Sequence, residues 1–435
     1  MQSTTRKFPE VILYKIDSSL FALALLLALA IPALAHPTPG SVVMLDFHRD
    51  GVAAELTLPL AELASAVKQT PSDNPAAAFP LNEPVFKEYI RAHINPRAAN
   101  GSAWSVSILS LRLQTNQQPF DVIAQLWLQP PPGASARIFK LNYSVIIGDS
   151  KTHNAFISVR NDWDTAVFSG QPEPLGNLHY PTTSLYVDRS HGSWWQGFRT
   201  VFNLGLHHIA EGTDHLLFLL ALLLPAPLLP SGKRWGAFAG IKRSLVQLLK
   251  IVSAFTVGHS LTLIIGALGL LRVPTRPVEI LIAVSILISA LHAIRPLFAG
   301  REMWIAAGFG LIHGLAFASG ILEYGFPPWY LASTILGFNL GIEVMQLAVV
   351  AAVIPWLILL ARTRFYSPVR VEGAVFAAVA ASGWIAQRAF NCPNPFDPLV
   401  NFLAAHPLCI LTALAATALS ATAWECLKQR PAHAA

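Results

Sequence analysis

Charge is scarce in this chain: Asp, Glu, Lys and Arg make up 12% of 435 residues, whereas hydrophobic residues make up 53%. A soluble domain carries about 25% charge. The shortfall, together with several apolar stretches of about 20 residues, excludes an ordinary soluble protein and points to a polytopic membrane protein. Cysteine is almost absent. Cys392, Cys409 and Cys426 are far apart and form no CxxC pair, so neither a disulfide framework nor a thiolate metal site is expected. Methionine is equally rare, with four in the chain, and the near absence of thiolate and thioether ligands argues against a copper(I) route. No P-loop sequence and no large cytoplasmic domain are present, which excludes a nucleotide-driven pump. The formal charge of +6 is no nucleic-acid signature, because the basic residues cluster at the ends of hydrophobic segments. The lipid bilayer is the expected partner, and nucleic acid is not.

The chain divides by composition. Arg6, Lys7 and Lys15 precede an apolar run from Phe21 to Leu34 that closes on Ala33-Leu34-Ala35, the pattern of a cleaved signal peptide over residues 1–35. The mature chain then starts at His36, whose α-amine and imidazole together would chelate a transition metal. Residues 36–193 are more polar and alternate with period two. Ala54, Leu56, Leu58 and Leu60 share one face, Val122, Ala124, Leu126 and Leu128 another, and Phe139, Leu141, Tyr143 and Val145 a third. Asp50-Gly51 and Pro130-Pro131-Pro132-Gly133 supply turns. An extracytoplasmic all-β sandwich of immunoglobulin-like size is expected there. His48, His93, His153 and His179 are isolated within it and read as structural or solvent-facing.

Residues 194–430 then carry seven hydrophobic segments, near 197–224, 244–270, 277–298, 302–322, 330–360, 372–390 and 402–427. With the β domain exported, Lys233, Arg234, Lys242, Arg243, Arg295, Arg301, Arg362, Arg364, Arg370, Lys428 and Arg430 all fall on the inner side, as the positive-inside rule requires. That orientation puts the β domain in the periplasm and the C-terminus in the cytoplasm. Trp194, Trp195 and Phe198 read as an interfacial anchor.

Within this apolar region the ionisable residues stand out, since each costs at least about 2.5 to 3.5 kcal/mol near the bilayer centre. The first segment holds His207, His208, Glu211 and Thr213-Asp214-His215. On an ideal helix His208, Glu211 and His215 share a face, with His215 two turns deeper than His208. Ser285, Ser289 and His292 repeat that spacing in the third segment, as do Asn339, Glu343 and Gln346 in the fifth; His259-Ser260 and His313-Gly314 lie in the second and fourth. His259, His313, Asn339 and Glu343 are at similar depths, roughly 15 to 20 Å from the outer ends, so one pocket could gather them. Imidazole with carboxylate suits a divalent first-row cation such as nickel, cobalt or zinc. The predicted ligands are His208, Asp214, His215, His259, His313 and Glu343, supported by Glu211, Ser260, Asn339 and Gln346. Helix packing explains Ser285 and Ser289 equally well, and a local hydrogen bond explains His292. The glycines at 308, 310, 314 and 320 read as close packing.

Taken in order, these blocks resemble the HupE/UreJ family of membrane proteins, in a larger form with an extracytoplasmic domain. The likeness rests on Gly205 with His208-Ile209 and Gly212-Thr213-Asp214-His215-Leu216-Leu217-Phe218; on Phe255-Thr256 with His259-Ser260-Leu261-Thr262-Leu263; on Val278-Glu279 with Ala283 and Ser285; on His313-Gly314-Leu315-Ala316-Phe317-Ala318; and on Phe338-Asn339 with Gly341, Glu343 and Gln346. The resemblance implies a bacterial inner-membrane protein similar to nickel or cobalt permeases that feed hydrogenase and urease maturation, with the first segment's His and Asp as metal contacts. Shorter members begin their mature chain with His-Pro-Gly, which His36-Pro37-Thr38-Pro39-Gly40 approximates, and they lack a sandwich of this size.

Three readings follow. The first is a divalent-metal permease, not an enzyme, with the ion as its substrate. The second is an intramembrane zinc hydrolase, resembling the ceramidase and adiponectin-receptor group in ingredients though not in block order, with Asp214 or Glu343 as general base. In the third, the β domain binds an unknown extracytoplasmic partner and the membrane part is a platform.

Overall fold

The alternation becomes two sheets around one core. The computed structural model describes residues 40–69, 74–116, 118–168, 170–271, 273–323 and 328–428; the expected signal peptide and His36 lie outside them. Strands β1 (Gly40–Phe47), β2 (Val52–Pro59), β3 (Ile94–Ala98), β4 (Ser105–Gln114), β5 (Asp121–Gln129), β6 (Ile138–Tyr143), β7 (Asn154–Asn161), β8 (Glu173–His179) and β9 (Ser184–Asp188) form a six-stranded sheet, β4-β5-β2-β1-β7-β8, and a three-stranded sheet, β3-β6-β9. Val43, Leu45 and Phe47 from β1, Leu56 and Leu58 from β2 and Leu126 from β5 meet Phe139 and Leu141 from β6 in the shared core. Antiparallel pairing of β1 with β2 and of β2 with β5 aligns these inward faces in register.

Two features depart from the expected all-β reading. β1 pairs with β7 in parallel. Helices α1 (Leu60–Ala66) and α2 (Pro75–Ala92) join the core through Leu63, Phe79, Phe86 and Ile90. The sequence signal for α2 was present but broken up by Pro80 and Pro84; its start is set by Pro75 and by the Asn74 side chain, which accepts from the Ala77 amide.

The helical region follows as α3 (Trp194–Glu211), α4 (Thr213–Leu223), a hairpin of β10 (Leu228–Ser231) and β11 (Arg234–Phe238), α5 (Ile241–Ala267), α6 (Thr275–Ile294), α7 (Glu302–Glu323), α8 (Pro328–Leu360), α9 (Tyr366–Phe390), α10 (Asp397–Ala405) and α11 (Pro407–Lys428). Among the described residues, α5, α6, α8, α9 and α11 contain spans long and apolar enough to cross a membrane, by length and composition. Many of their exposed side chains are large hydrophobes, such as Leu245, Leu249, Val257, Leu261 and Ile264 on α5, which suits contact with lipid. The three cysteines are free and exposed.

Two expected segments are interrupted. The first breaks at Gly212, whose ψ of 92° ends α3 and starts α4; the last breaks at His406, between α10 and α11. The β region grips the bundle through Trp163, which is 1% exposed. Its ring stacks on Tyr330 at 5.3 Å and its indole N–H donates to the Trp194 carbonyl. Gly197 makes room, since a Cβ there would lie 2.7 Å from that indole. Trp194 is therefore half of an interdomain contact, while Trp195 remains 69% exposed.

Candidate functional site

Glycine sets the distance between the helices that carry the polar residues. α3 and α8 cross where Gly205 meets the Phe338 carbonyl and Gly341 meets the Phe202 carbonyl; a Cβ at either would occupy the space of that oxygen. α5 and α7 cross in the same way, with Gly258 on the Ala307 carbonyl, Gly310 on the Phe255 carbonyl and Gly314 on the His259 carbonyl. Such small-residue crossings let backbones approach closely. The expected close-packing role holds for Gly310 and Gly314, whereas Gly308 has open space around it.

These crossings gather four imidazoles. The rings form a string: His259 to His208 at 6.4 Å between centroids, His208 to His215 at 4.6 Å and His215 to His313 at 5.1 Å. Phe218, Phe255 and Phe338 pack around it, and His215, His259 and His313 are 8%, 0% and 1% exposed. The break at Gly212 corrects the continuous-helix reading. His215 lies beside His208 rather than two turns below it, and Glu211 is left exposed, away from the string. Gly212 is needed here because a Cβ would sit 2.8 Å from the His215 Nδ1.

Three hydrogen bonds fix how the rings present their nitrogens. Asp214 Oδ1 accepts from the His215 backbone amide at 2.9 Å and from Nδ1 at 3.0 Å, so the His215 proton is on Nδ1. Asn339 donates its amide to the Ile335 carbonyl; its oxygen, 3.3 Å from His259 Nδ1, can then only accept. Ser285 gives its hydroxyl proton to the Ile282 carbonyl and accepts from His313 Nε2 at 3.0 Å. In each case the opposite nitrogen keeps a lone pair. Those atoms, His215 Nε2, His259 Nε2 and His313 Nδ1, are buried without a hydrogen-bond partner. Each such orphan costs about 1 to 3 kcal/mol, and a carboxylate or carbonyl that orients an imidazole from behind is the usual support of a metal-binding histidine. Ser285 and Asn339 therefore act as orienters, a role that sequence spacing did not separate from packing.

The other predicted residues lie beside the string. Glu343 is partly buried and accepts from Ser253 at 3.5 Å, and Gln346 accepts from Thr256 at 3.3 Å. Ser260 spends its hydroxyl on the Thr256 carbonyl. Among the described residues no three His, Cys, Asp or Glu side chains form one group set to hold a metal ion; the imidazoles form a row rather than a cage. His292 stands apart. Its Nδ1 accepts from the Leu297 and Phe298 amides and its ring stacks on Phe298 at 3.8 Å, which makes it the anchor of the following loop. A cavity of about 180 Å³ opens beside it, at the hairpin, bordered by Trp235, Arg243, Gln247, Ile251 and Glu302.

One arrangement in the β region had no sequence signal. His153 is not isolated: Ser41 lies 2.8 Å from its Nε2 and Glu62 2.6 Å from its Nδ1. The order Ser-His-Glu resembles a nucleophile relay, but Ser41 and His153 are both 0% exposed, so no substrate carbonyl can reach the hydroxyl. The trio ties β1 and α1 to the residue that leads into β7.

Residues 183–388 match the family model described as HupE / UreJ protein. That part of the chain belongs to the HupE/UreJ family. The matched span runs from β9 into α9 and contains all four imidazoles of the string. The family is associated with nickel and cobalt transport, which supports a metal permease at the family level. No curated protein matches the chain.

Proposed function

We propose that this HupE/UreJ protein is an inner-membrane permease for a divalent transition-metal ion, nickel or cobalt by family association, with the imidazole string as its binding site. The observation that carries this reading is the set of three buried, unpaired ring nitrogens whose tautomers leave a lone pair on each. Neutral imidazole suits nickel, cobalt and zinc alike. A row of ligands, each offering one or two contacts, binds an ion well enough to admit it and loosely enough to pass it on. Asp214 supplies the compensating charge next to His215, and Glu343 supplies a second carboxylate on the neighbouring helix. The β region lies on the periplasmic side in this reading, and the hairpin cavity on the cytoplasmic side.

Uptake of radioactive cobalt by cells tests the proposal. Replacing His215 or Asp214 by Ala should abolish uptake at unchanged membrane abundance, and uptake at the parental rate would refute it.

A further inference from the structure

The two glycine crossings are built alike. In each, a glycine meets the carbonyl of the residue three places before the partner glycine, and the contact is reciprocal: Gly205 with Phe338 and Gly341 with Phe202, then Gly258 with Ala307 and Gly310 with Phe255. This is the geometry of parallel helices crossing closely. The sequence repeats along with the contacts. α3 reads Gly205-Leu206-His207-His208 and α7 reads Gly310-Leu311-Ile312-His313; α5 reads Phe255-Thr256-Val257-Gly258 and α8 reads Phe338-Asn339-Leu340-Gly341. The two pairs run in opposite directions. Across α5 and α8, hydrogen bonds join Ser253 to Glu343, Thr256 to Gln346 and His259 to Asn339, so that the later part of one helix meets the earlier part of the other.

We infer that α3 with α5, and α7 with α8, are the two halves of an inverted repeat, exchanged so that each half packs on the other, with the imidazole string between them. His208 and His313 occupy equivalent positions, as do Thr256 and Asn339. Thr256 is thereby assigned as a positioning residue on the opposite half of the site: Asn339 holds His259, and Thr256 holds Gln346. A site between inverted halves is exposed first to one face and then to the other as the halves rock. This inference deepens the permease reading and rests on it for the cargo: the ion is carried by alternating access and not through an open channel.

The two ends differ as two such states would. Ile251 on α5 borders the hairpin cavity of about 180 Å³. Its equivalent on α8, Thr334, is as buried as Ile251 (5% against 3% exposed) and lies one turn beyond Tyr330, on which Trp163 stacks.

Labelling of cysteines in the full-length protein tests this. Cys392, Cys409 and Cys426 are replaced by Ser, and Thr334→Cys and Ile251→Cys are introduced together, in sealed vesicles of each orientation. Prior modification of T334C with a bulky impermeant maleimide should slow labelling of I251C from the hairpin side by about tenfold, and the reverse order should do the same. Unchanged rates overturn the inference, and so does a position that never reacts, because the second state is then not visited. Ile335→Cys with Val252→Cys, the next equivalent pair, serves if the first combination misassembles. Cobalt titration of the same protein reports on the permease reading separately, so failure of one is distinguishable from failure of the other.

Discussion

Gly310→Ala places a methyl group where α5 and α7 touch. The new carbon would overlap the Phe255 carbonyl oxygen and lie 3.0 Å from the His259 nitrogen, whereas an ordinary carbon–oxygen contact is about 3.3 to 3.6 Å. The helices must part by about 1 Å to relieve it. Overpacking of this kind costs about 1 to 3 kcal/mol, which a bundle of this size survives, so the protein should still reach the membrane. His313 and His259, however, flank the crossing on either helix, and a shift of about 1 Å in a positioned group costs about a hundredfold in function. Cobalt uptake should therefore fall between tenfold and a hundredfold, roughly, at near-parental abundance. Gly308→Ala is the control on the same helix: with nothing near its Cβ it should gain helix propensity, about 0.5 to 1 kcal/mol, and transport normally. Parental uptake by G310A would refute the argument that glycine contacts set the ligand spacing.

Other substitutions probe separate links. Asn339→Leu removes the acceptor that holds the proton on His259 Nδ1, and cobalt affinity should drop about 10- to 100-fold, as when a supporting partner is lost; isothermal titration checks this. Arg189→Ala leaves the fully buried Asp162 with Arg137 as its one ionic partner among the described residues, and the β region should lose about 2 to 3 kcal/mol, measured by urea unfolding. Burial pushes the His48 imidazole below its ordinary value of 6.5. Its folded state binds a proton less readily than the unfolded state, so its contribution is fully present above pH 6.5 and is lost as pH falls through the lower folded value. His48→Gln should flatten that part of the stability profile, and an unchanged slope would contradict the assignment.

The sequence announced the gathering of imidazoles because ionisable side chains in an apolar segment must turn away from lipid, and His208, His215, His259 and His313 do converge. It announced three strands for the same kind of reason: burial on one face imposes period two on β2, β5 and β6. What it concealed was set by backbone geometry. Gly212 looks like one more residue of a continuous hydrophobic segment, yet it ends one helix and begins another, which brings the His215 ring to 4.6 Å from His208. The orienting roles of Ser285 and Asn339 depend on where a second hydrogen bond goes, to Ile282 and Ile335, and spacing carries no such information. Helix α2 was hidden by its own prolines, and the Ser41–His153–Glu62 trio by sequence separation.

In the proposed site the ring nitrogens of His215, His259 and His313 together bind the metal ion. Cobalt added to the purified full-length protein gives visible absorption bands that report nitrogen ligation and exchange. The band should saturate, exchange freely with added nickel and disappear in His215→Ala, His259→Ala and His313→Ala. An identical band in all three variants would contradict it. So would a stoichiometric zinc that survives purification and resists exchange, which would instead favour the hydrolase.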